Sequence, residues 1–154
     1  MIITAYAKPN GFKWTQKLAA KAPVLDKWRV TALRHPMPID WVRERIANGP
    51  DAELSKMWFQ TAGLGSRDRR RITVFVEYII PGQERAIGRH VLDTLEELIG
   101  ERGMGEDIAL YEVDSLCNAS KSKRLYQLEE LPAYAGIRGR KLAVDVKGRM
   151  ISHR

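Results

Sequence analysis

The stretch Ile72-Thr73-Val74-Phe75-Val76-Glu77-Tyr78-Ile79-Ile80, closed by Pro81-Gly82, reads as the clearest strand in the chain. It is rich in β-branched and aromatic residues and is bounded by a turn pair. From Glu84 to Ile99 the pattern changes: Ile87, Val91, Leu95 and Leu98 recur at spacings of four, four and three, which predicts an amphipathic helix. Its outer face is expected to carry Glu84, Asp93, Glu96, Glu97 and Glu101, and glycines at 100, 103 and 105 are expected to end it. A second strand follows over Ile108 to Val113. A strand, a helix of this length and a strand suffice for a right-handed parallel crossover. The fold class is therefore α/β or α+β, with a single mixed β-sheet of about 5–6 strands and helices packed on it.

Working outward, Met1 to Ala7 reads as a short strand ended by Pro9-Asn10-Gly11, and Phe12 to Ala20 as a helix through Trp14 and Leu18. Trp28 to Leu33 suggests another strand, closed by His35-Pro36. Pro38 suits the first turn of a helix with Ile39, Val42 and Ile46 on one face. Asp51 reads as the N-cap of a short helix with Leu54, Met57 and Trp58 inward and Gly63 as its stop. Downstream, Cys117 to Leu128 is expected to contain a helix. The segments 133–136 and 142–146 read as a hairpin across Arg138-Gly139-Arg140.

At 154 residues the chain fits a single domain, 1–154. A sub-boundary is marked near 63–68, between a basic β-α-β-α-α part (1–66) and a β-α-β-α-β-β part (67–154). No apolar run reaches the roughly 18 residues of a membrane span, and Met1 to Tyr6 lacks the order of a signal peptide. The single cysteine, Cys117, excludes an internal disulfide framework and points to a reducing, cytoplasmic setting.

The formal net charge of +7 is unevenly distributed. Residues 1–71 hold 14 basic and 6 acidic side chains, 72–114 hold 3 and 10, and 115–154 hold 9 and 3. The basic clusters Arg67, Arg69, Arg70 and Arg71, then Lys121, Lys123 and Arg124, then Arg138, Arg140 and Lys141 fall in loops or at element edges. There arginine serves bidentate contacts to phosphate or carboxylate. The acidic helix offers a complementary partner face. The four tryptophans, Trp14, Trp28, Trp41 and Trp58, read mostly as core residues, with a stacking platform as the alternative.

Catalytic signals are weak. Cys117 follows a strand; Asp114 and Ser115 beside it do nothing to activate a thiol, whereas Lys121 and Lys123 would if they share its helix turn. Asp145-Val146-Lys147 has the acid-x-Lys form of metal-dependent nuclease sites, with Asp114 or Glu112 as a second carboxylate. His35, His90 and His153 form no pair at helical metal-ligand spacing, and the glycine pairs lack the end of a nucleotide loop, so neither a metal nor a cofactor is implied.

Pro9-Asn10-Gly11-Phe12-Lys13-Trp14, set between a strand and a helix, resembles the active-site turn of thioredoxin-like arsenate reductases, with Gly11 where those have cysteine. Leu131-Pro132 resembles the proline region of thioredoxin-like folds. The resemblance implies an alternative fold, thioredoxin-like without the redox cysteines, and no thiol chemistry.

These readings favour a non-enzymatic binding and assembly module, docking through complementary basic and acidic surfaces on copies of itself or on other subunits. A viral or phage-type structural component, inside a particle, is one form of it. A nucleic-acid-binding accessory protein and a metal-dependent nuclease are the alternatives, and no membrane partner is expected.

Overall fold

In a computed structural model of the chain, the structure describes residues 1–24, 26–47, 54–64, 70–135, 142–144 and 150–152. Met57–Leu64 (β3) and Arg70–Val76 (β4) form an antiparallel pair, and Ile108–Ser115 (β5) lies parallel to β4. Tyr126–Gln127 (β6) pairs antiparallel with β3, giving a mixed four-stranded sheet in the order β5-β4-β3-β6. Between β4 and β5 runs the long helix Glu84–Glu106 (α3), the crossover expected from its length. The class is mixed α/β, as the sequence predicts.

The strands are partitioned differently from the expected single sheet. Ile2–Ile3 (β1) and Thr31–Ala32 (β2) make a separate two-stranded parallel pair. Leu142–Val144 (β7) and Met150–Ser152 (β8) make an antiparallel pair of their own. The four-stranded sheet therefore includes neither flank of the segment that resembles a thioredoxin-like turn. Pro9 is the first residue of the helix Pro9–Ala20 (α1), where its missing N–H costs nothing. Leu131 and Pro132 open the short helix Leu131–Tyr134 (α4) instead of preceding a hairpin, and β7 pairs with β8.

Two further expectations are overturned by strand pairing. Met57 and Trp58 are in β3 and not in a helix, and Leu54–Lys56 forms a helical turn before it; the expected N-cap Asp51 lies outside the described residues. A run of Met, Trp, Phe, Gln and Thr fits a pleated surface once β4 supplies a partner, and tertiary pairing overrides the helical spacing. Gly63 sits at an irregularity of that pairing and stops no helix. After β5, the chain makes a three-residue helical turn, Leu116–Asn118, and then an irregular loop to β6, so the helix expected over Cys117 to Leu128 is absent.

The core lies on one face of the sheet. Phe59, Ile72, Val74 and Val76 pack there against Val91, Leu95, Leu98 and Ile99 of α3 and against Val42 and Ile46 of Ile39–Ala47 (α2). Leu128 and Leu131 close one end, and Phe59 stacks on Tyr126 at 5.2 Å between ring centres. Residues from both sides of the marked sub-boundary share this core. Across the expected end of α3, the helix breaks at Gly100 (φ 71°, ψ 167°) and resumes to Glu106.

The break has a physical cause. In an uninterrupted helix the Glu101 N–H would donate to the Glu97 carbonyl. Here the Glu101 N–H donates to the Arg34 carbonyl at 2.8 Å, and the Met37 N–H donates to the Glu97 carbonyl at 2.7 Å. The segment 34–37 is thus spliced into the hydrogen-bond ladder of α3. A side chain at 100 would meet the Pro36 ring at 2.7 Å and the Arg34 carbonyl at 3.0 Å, and glycine alone tolerates that backbone at no cost.

Candidate functional site

The acidic residues of α3 were expected to face a partner; the fold turns the central ones inward. Glu101 is 1% exposed. Its Oε1 accepts hydrogen bonds from Thr4 Oγ1 at 2.8 Å, from the Ala5 N–H at 2.5 Å and from the Ala7 N–H at 3.0 Å. Its Oε2 accepts from the Arg34 N–H at 3.2 Å. Converging donors of this kind stabilise a carboxylate out of water. Burial pushes the Glu101 pKa up, but the bonds from Ala7, Thr4, Arg34 and Ala5 outweigh it and hold the carboxyl below its ordinary range. Tyr6 and Ala7 have positive φ (53° and 54°), and the Glu101 carboxylate spans this strained turn.

The neighbouring acids serve the same junction. Glu97, 8% exposed, accepts from Arg45 Nε at 2.6 Å. Glu96 pairs with Arg34 at 3.0 Å; burial is the largest influence on it and raises its pKa despite that partner. From the middle of α2, Arg43 pairs with Glu129. Glu84, at the start of α3, is exposed and accepts from the Gly82 N–H, while Asp93 is partly buried. Of the expected acidic face, Glu97 and Glu101 are therefore corrected to internal positions, because residues 1–47 fold back onto α3 and bring backbone donors and arginines with them.

The N-terminal third behaves in the opposite way. On α1 the buried residues are Phe12 and Thr15, so Trp14 and Leu18 turn out to solvent at 69% and 59% exposure. Tyr6, Val24 and Trp28 are exposed as well, and so is Trp41. The expectation that the tryptophans are mostly core fails for three of the four; only Trp58 is partly buried. Along one side of Trp14 and Leu18 stand Lys13, Lys17 and Lys21, with Lys17 Nζ 5.1 Å from the centre of the Trp14 ring. Residues 8–29 carry six basic side chains and one acidic, Asp26. The readable signal for this orientation was the set Phe12, Thr15 and Ala19, which marks the inward stripe.

The other basic clusters divide. Arg67 and Arg69 lie outside the described residues, as do Arg138, Arg140 and Lys141. Arg70 turns to the core side, its guanidinium 4.9 Å from the Tyr134 ring centre, while Arg71 is exposed on the opposite face. On that face Gln60 pairs across the sheet with Thr73, two residues from Arg71. The Gln60 side-chain amide donates to the Ser120 and Lys123 carbonyls and its carbonyl accepts from the Ser120 N–H. This clamp draws the loop bearing Lys121 and Lys123 over the same side of the sheet as Arg71, while the Arg124 guanidinium lies 4.7 Å from the centre of the Tyr126 ring, which stacks on Phe59 on the core side; all four are exposed.

Of the catalytic candidates, Asp114 and Cys117 fall in one turn and have the Asn118 side chain as a common partner. Asp114 accepts from the Ser115 N–H and from Asn118 Nδ2, both at 2.7 Å, and so organises the turn after β5. Cys117 is exposed in that turn beside Asn118. Asp145 and Lys147 lie outside the described residues. Among the described residues no group of three or more His, Cys, Asp or Glu side chains is arranged to hold a metal, and no helix is long and apolar enough to cross a membrane.

Comparison with protein-family models, with curated proteins and with solved structures returned no match. The functional reading rests on the surface itself.

Proposed function

We propose that the protein is a non-enzymatic binding and assembly module that docks through the outer face of α1 onto an acidic protein surface with an apolar recess. The observation that supports this reading is the exposure of Trp14 and Leu18, one helical turn apart and flanked along one side by Lys13, Lys17 and Lys21. An aromatic and an aliphatic anchor at i, i+4 with a charged rim is the composition of an interface centre. The lysines select an acidic partner and speed its encounter at low salt. Part of the complementarity between the basic and acidic parts of the chain is used inside the molecule, in the pairs Arg34–Glu96 and Arg45–Glu97. The outward surface left for a partner in residues 8–29 is basic.

The test is the mass and composition of the native complex at low and high salt, for the wild type and for Trp14→Ser/Leu18→Ser. The double variant, folded as judged by its thermal transition, is expected to lose the partner. A complex of unchanged mass, or a wild-type chain that is monomeric and alone at every salt concentration, would sink the proposal.

A second reading, binding of single-stranded nucleic acid, is favoured by a separate observation: Arg71, Lys121 and Lys123 stand exposed on one side of the sheet. Neutralising phosphates there would give salt-dependent binding with little sequence preference. Anisotropy of a labelled oligonucleotide tests it. Arg71→Ala/Lys123→Ala should flatten the dependence of log affinity on log salt, and an unchanged slope would remove this reading.

A further inference from the structure

The splice of residues 34–37 into α3 leaves a cleft of ≈ 110 Å³, walled by Leu33, Pro36 and Ile99 and carrying His35, Arg102 and Asp107 among its polar residues. We propose that this cleft binds a small monocarboxylate with an apolar body, the carboxylate facing Arg102 and His35 and the body lying against Leu33, Pro36 and Ile99.

Size and lining set the body of the ligand. An apolar cavity of about 150 Å³ encloses a benzene ring; this cleft, smaller at ≈ 110 Å³ and open to solvent, takes at most a single ring with one edge at its mouth, or a short branched chain. Its walls are mostly aliphatic, which suits an anion with an apolar side better than a fully hydrated one such as phosphate.

Charge sets the head group. Arg34 is already paired with Glu96, whereas Arg102 is held at 3.5 Å by Glu106 one turn further on. The Glu101 carboxylate, close in sequence, is committed to Thr4, Ala5, Ala7 and Arg34. Asp107 is the acid in the lining and makes interactions of its own within the chain. At His35 the cations prevail over it. Burial first, then Arg102, then Arg29 hold the imidazole below its ordinary pKa, so the ring is neutral at neutral pH. A carboxylate placed between His35 and Arg102 offsets that field and favours the imidazolium. Binding therefore takes up a proton, and affinity rises as pH falls through the range in which His35 titrates.

The backbone supports a preformed site. Leu33 is held at φ 63° with its N–H donating to the Ile3 carbonyl, and Gly100 at φ 71°. The walls are fixed by the two hydrogen bonds of the splice and need no rearrangement to receive a ligand.

Benzoate, benzamide and inorganic phosphate, each titrated into the intact chain and followed by the histidine ring resonances, test the proposal. Benzoate is expected to bind with Kd of about 1 mM or tighter at pH about 6, the range open to a ligand of roughly nine heavy atoms. It should shift the His35 resonance, raise the His35 pKa and leave His90 unmoved. Affinity should fall several-fold as pH is raised to about 7.5. Arg102→Gln should weaken binding about 10-fold or more. Should that variant fail to fold, His35→Asn serves, and it should bind benzoate without the pH dependence. No shift at His35, equal binding of benzamide or phosphate, or His35 and His90 moving alike would each overturn the proposal.

Discussion

Helices α1 and α3 invert the usual assignment of apolar residues to the inside and charges to the outside. α1 shows solvent a tryptophan and a leucine and buries a threonine; α3 buries two glutamates. The difference follows from what each helix is packed against. α3 is covered by residues 1–47, whose strained turns present backbone N–H groups and whose α2 presents Arg45, so carboxylates on that side find donors. α1 contacts the rest of the chain through one narrow stripe. A Cβ at Gly105 would come within 2.6 Å of the Phe12 ring, so the second half of α3 fits closely against that stripe. A buried charge is thus tolerated where partners surround it, and an exposed anchor persists where the fold offers it no partner.

The largest test of this contrast is Glu101→Ala. Four donors would lose their acceptor together, and a loss of about 3–5 kcal/mol is expected in urea-induced unfolding. Glu101→Gln should cost less, since its carbonyl can still accept from Thr4, Ala5 and Ala7, while its NH₂ group opposes the Arg34 N–H. An alanine variant within 1 kcal/mol of wild type, on the order of ordinary surface substitutions, would show that the carboxylate does not hold the N-terminal turn.

Gly100→Ala comes next, with a loss of about 1–3 kcal/mol expected because any Cβ meets Pro36 and the backbone is left-handed. Comparable in size, Arg45→Ala should cost about 1–3 kcal/mol by leaving Glu97 without its guanidinium. Thermal unfolding of the two variants measures both.

Acidification reads the same tie without mutation. The folded-state pKa of Glu101 is depressed below its ordinary value, so its contribution is fully present above the ordinary carboxylate range and is lost as pH falls through the depressed value. Glu129 acts in the same sense, its carboxyl lowered first by the hydrogen bond from Arg43. Glu96, raised mainly by burial, acts in the opposite sense, because its ionised form is the costly one. Stability is therefore expected to decline below the carboxylate range, and Glu101→Gln should make that acid limb shallower. An identical pH profile in variant and wild type would assign the acid limb to other groups.

The smallest stability effect belongs to the other half of the comparison. Trp14→Ser and Leu18→Ser are expected to change unfolding free energy by no more than about 0.5 kcal/mol, since both side chains are already in water. A much larger loss would mean that they pack within the chain, and the docking face would disappear with that result.

By itself the sequence determined the centre of this protein. The alternation of Ile72, Val74 and Val76, the spacing of Ile87, Val91, Leu95 and Leu98, and the strand after them specify a β-α-β crossover, since local periodicity is enough to choose an element and its buried face. Ile39, Val42 and Ile46 specified α2 for the same reason. The charge count located the acidic and basic segments but not their direction. Tertiary structure decided the rest. Met57 to Thr61 became a strand because β4 was there to pair with it, and α3 broke without ending because the backbone of residues 34–37 entered its ladder. Glu97 and Glu101 turned inward because donors from sequence positions 45 and 4–34 arrived beside them. Each of these outcomes depends on a hydrogen-bond partner distant in the chain, and no local pattern encodes which distant group will come.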